Sequence, residues 1–403
     1  MADRRRWTVL AAGTFAQAAT CSFLYGTPML LPQLKHEGVP LLRASLLVSA
    51  PIAGILLTLI AWGALADRLG ERIVIAAGVG GSAIALVGAA LAPGTVGLGL
   101  MFVVAGALAG SVNAASGRMV MGWFPRHERG LAMGTRQTAQ PVGVALAALG
   151  LPPLAHDVGV HHAMFYPAAL CAASAVLVLV AVIDPPRPPA EPGAARAGSP
   201  YRRSTALARV HLSSALLVVP QFAIGSFTLI YLVDVRHWDA TTAGRVVFWF
   251  QVAGAVGRVA SGVWSDRVRS RLSPMRQLAV ASAALMGVVA VGAATGSWIV
   301  VAGLAVGAVI TVADNGLAYT SVAEFAGQEW SGRALGVQNT VQNLVAMGTT
   351  PMLAAVIGDH RYGWGFALAA LFPLAAILAT PVRAEREHAD AERRPVAAAE
   401  TTA

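Results

Sequence analysis

Apolar residues run along this chain in long blocks, and no polar face recurs among them at helical spacing. A helix needs about 20 such residues to cross a bilayer. Twelve blocks of that kind are read, at 7–34, 42–64, 73–92, 96–122, 131–153, 163–183, 209–233, 243–264, 275–295, 298–322, 333–357 and 363–382. Pro28, Pro51, Pro141, Pro220 and Pro351 fall inside them. Proline breaks a soluble helix, but in a bilayer neighbouring helices take up the freed backbone groups. The pattern predicts an all-α membrane protein of twelve spans.

The blocks repeat. Gly63–Arg68 (GALADR) recurs as Gly262–Arg267 (GVWSDR), an offset of 199 residues. Ala132–Gln140 (AMGTRQTAQ) recurs as Ala334–Gln342 (ALGVQNTVQ) at 202, and Asn113 recurs as Asn315 at the same offset. In the first and seventh spans Gln17/Gln221, Ser22/Ser226 and Phe23/Phe227 match at 204. Four pairs of elements agreeing on nearly one offset indicate duplication. Six spans per copy, in the same orientation, make a parallel repeat with a binding site expected where the copies meet. The expected organisation is an N-terminal six-helix bundle (1–183), a Pro-, Ala- and Arg-rich linker (184–208), a C-terminal six-helix bundle (209–382) and a tail (383–403).

Charge orients the spans. Only 12% of the residues are charged, where a globular chain carries about a quarter, and the mean hydropathy is +0.63. The net charge of +9 does not indicate nucleic acid, because the basic residues sit in short clusters between apolar blocks. Of the 29 basic residues, 21 lie in loops on one side and five (Lys35, Arg43, Arg236, Arg245, Arg361) on the other. That asymmetry places the richer side, with both termini, in the cytoplasm of a cell membrane. Arg4–Arg6 precede an apolar block too long for a cleavable signal, so the first span reads as an uncleaved anchor. Cys21 and Cys171 lie inside apolar blocks, and His156, His161, His162, His237 and His360 lack metal-ligand spacing. No metal or cofactor is expected. No nucleophile–base or metal constellation falls within the spans, so the chain is not read as an enzyme.

With these motifs the chain resembles the major facilitator superfamily of transporters over all twelve spans. The most specific element is Gly63–Arg72 (GALADRLGER), similar to the family pattern G-x-x-x-D-R-x-G-R-[RK]. Glu71 departs from it, and the second copy, Gly262–Arg271 (GVWSDRVRSR), lacks the later glycine. Trp123–Gly130 (WFPRHERG) also looks like a recurring family element. The resemblance implies two six-helix bundles around a central cavity and alternating access for a small-molecule substrate in the lipid bilayer. The chain is expected to act as a monomer.

Two sets of charges are candidate gate residues at the basic end. Asp67, Arg68, Arg72, Arg118, Glu128 and Arg129 serve the first half, and Asp266, Arg267, Glu324 and Arg333 the second. Opposite charges there can pair across helix ends in one state and be solvated in the other; the alternative is that they only set topology. Gly63 and Gly70 are read as sites of close helix packing.

Charge inside a bilayer is costly and so points to function. Arg258 stands in the eighth span, with Gln251 two turns back and Gly254 and Gly257 beside it. A guanidinium there either holds a carboxylate through a bidentate pair or pairs with a gate acid. The stretch Gly257–Asp266 also resembles monocarboxylate and oxalate/formate carriers, in which an arginine at this place contributes to binding the organic anion, and the chain is similar to the organic-anion or cyanate-type branches of the family. Arg136, on one face with Gln140, is either a second anion contact or a cation snorkelling outward. Asp314 is the deepest acid, and it is either a proton-coupling group or one half of an ion pair. Gln17, Tyr25, Asn113, Gln140, Gln221, Asn315, Gln338, Asn339 and Gln342 complete the candidate substrate lining. The leading expectation is a carrier of a small organic anion such as a carboxylate, with protons as the candidate coupling ion. A proton-driven drug exporter of the same fold is the alternative. It is disfavoured because helix 5 offers only Gln140-Pro141-Val142-Gly143 and the first span carries no acid.

Overall fold

The computed structural model describes residues 2–124, 128–184, 199–202, 204–358, 360–385 and 387. Among these the regular structure is helical, and each apolar block has a helical counterpart. The first block forms α1 (Ala2–Leu24), a 3₁₀ turn (Thr27–Leu30) and α2 (Leu31–His36). There follow α3 (Leu41–Leu69), α4 (Glu71–Leu91), α5 (Gly94–Trp123), α6 (Arg129–Gln137), α7 (Ala139–Ala163) and α8 (Phe165–Ala181). Beyond the linker come α9 (Ala206–Asp234), α10 (Ala240–Val268), α11 (Leu272–Ala294), α12 (Ile299–Ile310), α13 (Asn315–Ile357) and α14 (Tyr362–Ala379). Ten segments among the described residues are long and apolar enough to cross a membrane, and α8 is a shorter apolar helix.

The residues pack as two compact units. The first comprises Met1–Ala190, Gly225–Ala255 and Ala346–Tyr362; the second comprises Glu191–Ile224, Val256–Val345 and Gly363–Ala403. In the first unit α5 lies along both α3 and α4, and α1 lies along α7 and α8. The α3–α5 seam is made by glycine: a Cβ on Gly54 would stand 2.0 Å from the Val103 carbonyl oxygen, and one on Gly106 would stand 1.9 Å from that of Pro51. The Thr58 hydroxyl (2.6 Å) and the Trp62 indole N–H (2.7 Å) both donate to the Ala107 carbonyl across the same seam. Close backbone approach through small residues, with polar side chains as ties, is how helices associate without a hydrophobic drive. Gly63, expected to pack closely, has open space around it. In the second unit Gly257 faces Val309, whose Cγ1 would be 2.6 Å from an added Cβ, so this glycine is filled by a neighbour.

Breaks in the spans have local causes. Pro141 has no N–H for the Gln137 carbonyl, and α6 ends at Gln137. Thr138 then bonds back to the Thr135 carbonyl through both its N–H (3.2 Å) and its hydroxyl (2.7 Å). The tenth block, expected as one helix over 298–322, is divided at 311–314 between α12 and α13. No proline causes this. The Thr311 hydroxyl bonds back to the Gly307 carbonyl at 2.7 Å, a contact that bends helices. The Ser261 hydroxyl of α10 takes the Ala313 carbonyl at 2.6 Å. The freed backbone thus finds side-chain partners at membrane depth. Gly327 (φ 71°) turns the chain between the tenth and eleventh blocks, in a region that other residues enter at a cost.

Each half also ends in an acid that caps a helix. Asp184 Oδ1 accepts the Arg72 N–H at 2.7 Å, in the first turn of α4. Gly70 (φ 91°) clears the way, since a Cβ there would lie 2.3 Å from Asp184 Oδ2. At the start of α11, Glu385 accepts the N–H groups of Arg271 (2.5 Å) and Leu272 (3.1 Å) and the Ser270 hydroxyl (2.5 Å). Carboxylates at helix N-termini satisfy orphan donors and face the positive end of the dipole. Replacing Glu385 with alanine is expected to lower stability by about 1 kcal/mol, read as a lower thermal midpoint of the purified protein. An unchanged midpoint would show the cap to be energetically idle.

Candidate functional site

The amides matched by the duplication bond to one another, once in each unit. In the first unit Gln17 of α1 donates its Nε2 to Asn113 Oδ1 of α5 at 3.3 Å. In the second unit Asn315 Nδ2 donates to Gln221 Oε1 of α9 at 2.9 Å. Each bridge ties the first span of a repeat to its fourth.

In the first unit the bridge continues outward. Ser116 donates to Gln17 Oε1 at 3.4 Å and itself accepts from Arg136 Nε at 2.9 Å. Donation therefore runs one way, from guanidinium to hydroxyl to amide to amide. The chain ends at Asn113, whose Oδ1 accepts the bond from Gln17. Arg136 at the end of α6 and Gln140 at the start of α7, one on each side of the break, are both half-buried. The outcome is a cationic, donor-rich cluster at membrane depth.

In the second unit the bridge meets the divided helix. Gln342 Nε2 donates to Ser214 Oγ (2.7 Å) and to Asn315 Oδ1 (3.4 Å). Asp314, only 3% exposed, sits at the division itself. Its carboxyl lies within electrostatic reach of the Arg258 guanidinium of α10. One turn along α10, Ser261 holds the carbonyl of Ala313. Arg258, Asp314, Asn315, Gln221 and Gln342 therefore gather around one break in a membrane helix. Gln338 is fully buried, its amide nitrogen donating to Ser214 at 2.5 Å and its oxygen 2.6 Å from His211 Nδ1. Asn339 accepts from the Tyr319 hydroxyl (3.4 Å), a tie across the Gly327 turn, and from Asn343 Nδ2 (2.9 Å), a tie between helix turns. Gln251 is half-buried on α10 in the first unit.

At the basic end the expected gate residues find partners that the motif did not indicate. Glu128 pairs with Arg6 of α1 at 2.9 Å, and Arg6 also lies 5.5 Å from the centre of the Phe124 ring. The Arg72 guanidinium donates to the Leu179 carbonyl of α8. Arg68 is exposed, and the side chains of Asp67, Arg118 and Arg129 fall outside the described ones. In the second copy Arg271 bridges Asp266 and Glu324 (3.4 Å) and donates to Ser265 Oγ at 2.6 Å. Arg271 is thus the cation of this cluster. Arg267 is exposed, and Arg333 lies over the Trp330 ring at 4.9 Å. Arg271 closes the second copy of the motif, so its place at the end of GVWSDRVRSR was the available signal.

At the opposite end a cluster appears that the sequence did not suggest. Lys35 at the end of α2 pairs with Asp234 at the end of α9, and the Tyr362 hydroxyl donates to the same carboxylate oxygen at 3.3 Å. The Tyr362 ring meets Tyr231 edge-on at 5.3 Å, and Arg236 lies 5.7 Å from the Tyr231 ring centre. All of these residues belong to the first unit. Each charge alone reads as one more loop charge; only the fold brings them together. No group of three or more potential metal ligands occurs among the described residues.

These arrangements have known relatives. Residues 10–350 match the family model described as Major Facilitator Superfamily. An uncharacterized MFS-type transporter of Mycobacterium tuberculosis, Rv2994, is 42% identical over 380 residues, covering 94% of this chain and 85% of that protein. A probable nitrate/nitrite transporter of M. tuberculosis, NarK2, is 28% identical over 247 residues, covering 59% of this chain and 60% of that protein. Among solved structures, a bacterial homolog of the human lysosomal transporter Spinster superposes with a TM-score of 0.77 at 17% identity, over 94% of this chain and 97% of that one. The human organic anion transporter MFSD10 superposes with a TM-score of 0.69 at 14% identity, over 93% and 99%. With a family model spanning most of its length and a close relative covering nearly all of it, this chain belongs to the Major Facilitator Superfamily of membrane transporters.

Proposed function

We propose that this transporter carries a small anion across the cell membrane together with a proton, by alternating access. The observation that carries the reading is the buried Asp314 at the division between α12 and α13, with Arg258 of α10 within electrostatic reach. A guanidinium at membrane depth needs a counter-charge. In the empty protein Asp314 supplies it. An entering anion, such as a carboxylate, takes the guanidinium by a bidentate pair. Asp314 then faces a low-dielectric surround without its partner, and it takes up a proton. The anion and proton therefore move together with no net charge left in the membrane. When the anion leaves, Asp314 loses its proton and returns to Arg258.

Arg136 and its amide chain provide a second cationic cluster for the same class of substrate. The nitrate/nitrite assignment of NarK2 supports an anion and extends the class to inorganic ones. The halves 1–183 and 209–382 act as the two repeats, with 184–208 linking them, and the protein works as a monomer. The basic end, with both termini, faces the cytoplasm. The ion pairs of Glu128 with Arg6 and of Arg271 with Asp266 and Glu324 close that end, with Arg68, Arg72 and Arg333 beside them.

The test is uptake into proteoliposomes of formate, acetate, lactate, oxalate, nitrate and nitrite, with and without an inward proton gradient. Asp314→Asn is expected to retain anion exchange but lose at least about 10-fold of gradient-driven accumulation, because asparagine cannot take up a proton. Accumulation surviving that change would make Asp314 structural. Outward movement of cationic dyes with no anion flux would overturn the reading.

A further inference from the structure

His211 takes no part in the anion site, yet it is joined to it by an unbroken run of hydrogen bonds. It is 6% exposed, near the basic end of α9. Its Nε2 lies 2.9 Å from the Tyr201 hydroxyl and its Nδ1 lies 2.6 Å from Gln338 Oε1. From Gln338 the run passes to Ser214, then to Gln342, Asn315 and Gln221. All of these residues lie in the second unit.

The chemistry of the groups restricts how this run can be polarised. An amide oxygen only accepts, so with Oε1 facing the ring Nδ1 must carry the hydrogen. Tyr201 then donates to Nε2 of a neutral ring, or accepts from Nε2 of a protonated one. With Oε1 turned towards the ring, the Gln338 NH₂ must face Ser214, which accepts from Gln338 and Gln342 together. A neutral ring has a second choice. With its hydrogen on Nε2, Nδ1 becomes an acceptor, the Gln338 amide can turn over, and Ser214 donates to Gln338 instead. A protonated ring donates from both nitrogens and forbids that turn.

We propose that His211 is a proton-responsive positioning residue: its protonation locks the Gln338 amide, and through Ser214 it sets how firmly Gln342 and Asn315 are held at the anion site. The role in transport rests on the anion reading above. Ser214 holds Gln342 more weakly when it must also accept from Gln338, and more strongly when it donates onward, because hydrogen bonds in a chain polarise one another. The groups facing His211 are Tyr201 from the 3₁₀ turn Pro200–Arg202 and Gln338 from α13. Further out lie two cations, Arg209 on the Leu378 and Ala379 carbonyls at the end of α14 and Arg333 over Trp330. Trp330 meets Tyr201 edge-on at 6.5 Å, and Tyr201 stacks on His211 at 5.9 Å. No carboxylate bonds His211 among the described residues.

The experiment measures thermal midpoint and anion uptake of the full chain between about pH 5 and 8. Uptake is read as anion exchange in the Asp314→Asn background, which removes the pH dependence of proton coupling, and there the chain with His211 intact, the wild type of this comparison, is expected to show one inflection shared by both readouts. His211→Gln removes it from both. Tyr201→Phe keeps the histidine but deletes the acceptor that the protonated ring needs, so its inflection moves to lower pH. Gln338→Leu retains the inflection in stability and loses it in uptake. An inflection unchanged in His211→Gln overturns the proposal. So does a Tyr201→Phe profile identical to wild type, should His211→Gln fail to fold. An inflection in wild-type stability with flat wild-type uptake overturns the positioning role. If no anion moves at all, the anion reading fails, while the stability profiles still decide whether His211 switches Gln338.

Discussion

Arg258→Lys is expected to reduce anion transport about 30-fold while leaving the folded protein intact. Lysine keeps the charge and most of the length, so the attraction to Asp314 and the packing of α10 survive. What is lost is the planar fork that presents two parallel N–H donors to a carboxylate or nitrate. Losing one charge-assisted hydrogen bond costs about 2 kcal/mol, which is roughly 30-fold in rate or affinity. The measurement is initial uptake rate against concentration, with the thermal midpoint as the check on folding. Uptake at the wild-type rate would remove Arg258 from contact with the substrate. A collapse of the midpoint would show that the guanidinium itself is needed to hold the fold, and the transport loss would then not measure substrate contact.

The second large effect is structural. Gly106→Leu is expected to destabilise the first unit by about 3 kcal/mol or more, enough to abolish recovery of folded protein. The added Cβ would stand 1.9 Å from the Pro51 oxygen and 2.6 Å from its carbonyl carbon. Both are backbone atoms in the middle of α3, so neither can swing aside. Relief requires the helices to separate, and that also breaks the bonds of Thr58 and Trp62 to Ala107. Gly63→Ala is the control, because nothing stands within 4 Å of its added Cβ. Yield and thermal midpoint compare the two variants. Equal behaviour would show that the seam adapts and that α3 and α5 are not closely fixed.

The two glycines also show what the sequence discloses and what it conceals. Gly63 stands in the conspicuous motif and was expected to pack, yet the packing glycines are Gly54 and Gly106, which sit in unremarkable apolar runs. A glycine in a span looks the same whether it faces lipid or a neighbouring backbone. The Gln17–Asn113 and Gln221–Asn315 bridges were legible in part, because duplication preserved both members of each pair at nearly one offset. Nothing in the duplication pairs Lys35 with Asp234, or Glu128 with Arg6. Those are long-range charge contacts, and each partner reads locally as a topology signal. The division at 311–314 was hidden for another reason. Its cause is two hydroxyls, Thr311 in place and Ser261 on a different helix, rather than a proline in the sequence.

The capping acids Asp184 and Glu385 also bear on how the protein is made. Each lies just beyond the sixth span of its own half, 112 and 114 residues after the N–H it accepts. A ribosome adding about 5–20 residues per second needs some 6 to 23 s to cover that interval. During that time the first turns of α4 and α11 leave the translocon with their donors unmet by these acids. Asp184 is made before the second half begins, and the second half repeats the same interval with Glu385. Both repeats thus share one order of synthesis, in which the acid that seals a helix is made three spans after it.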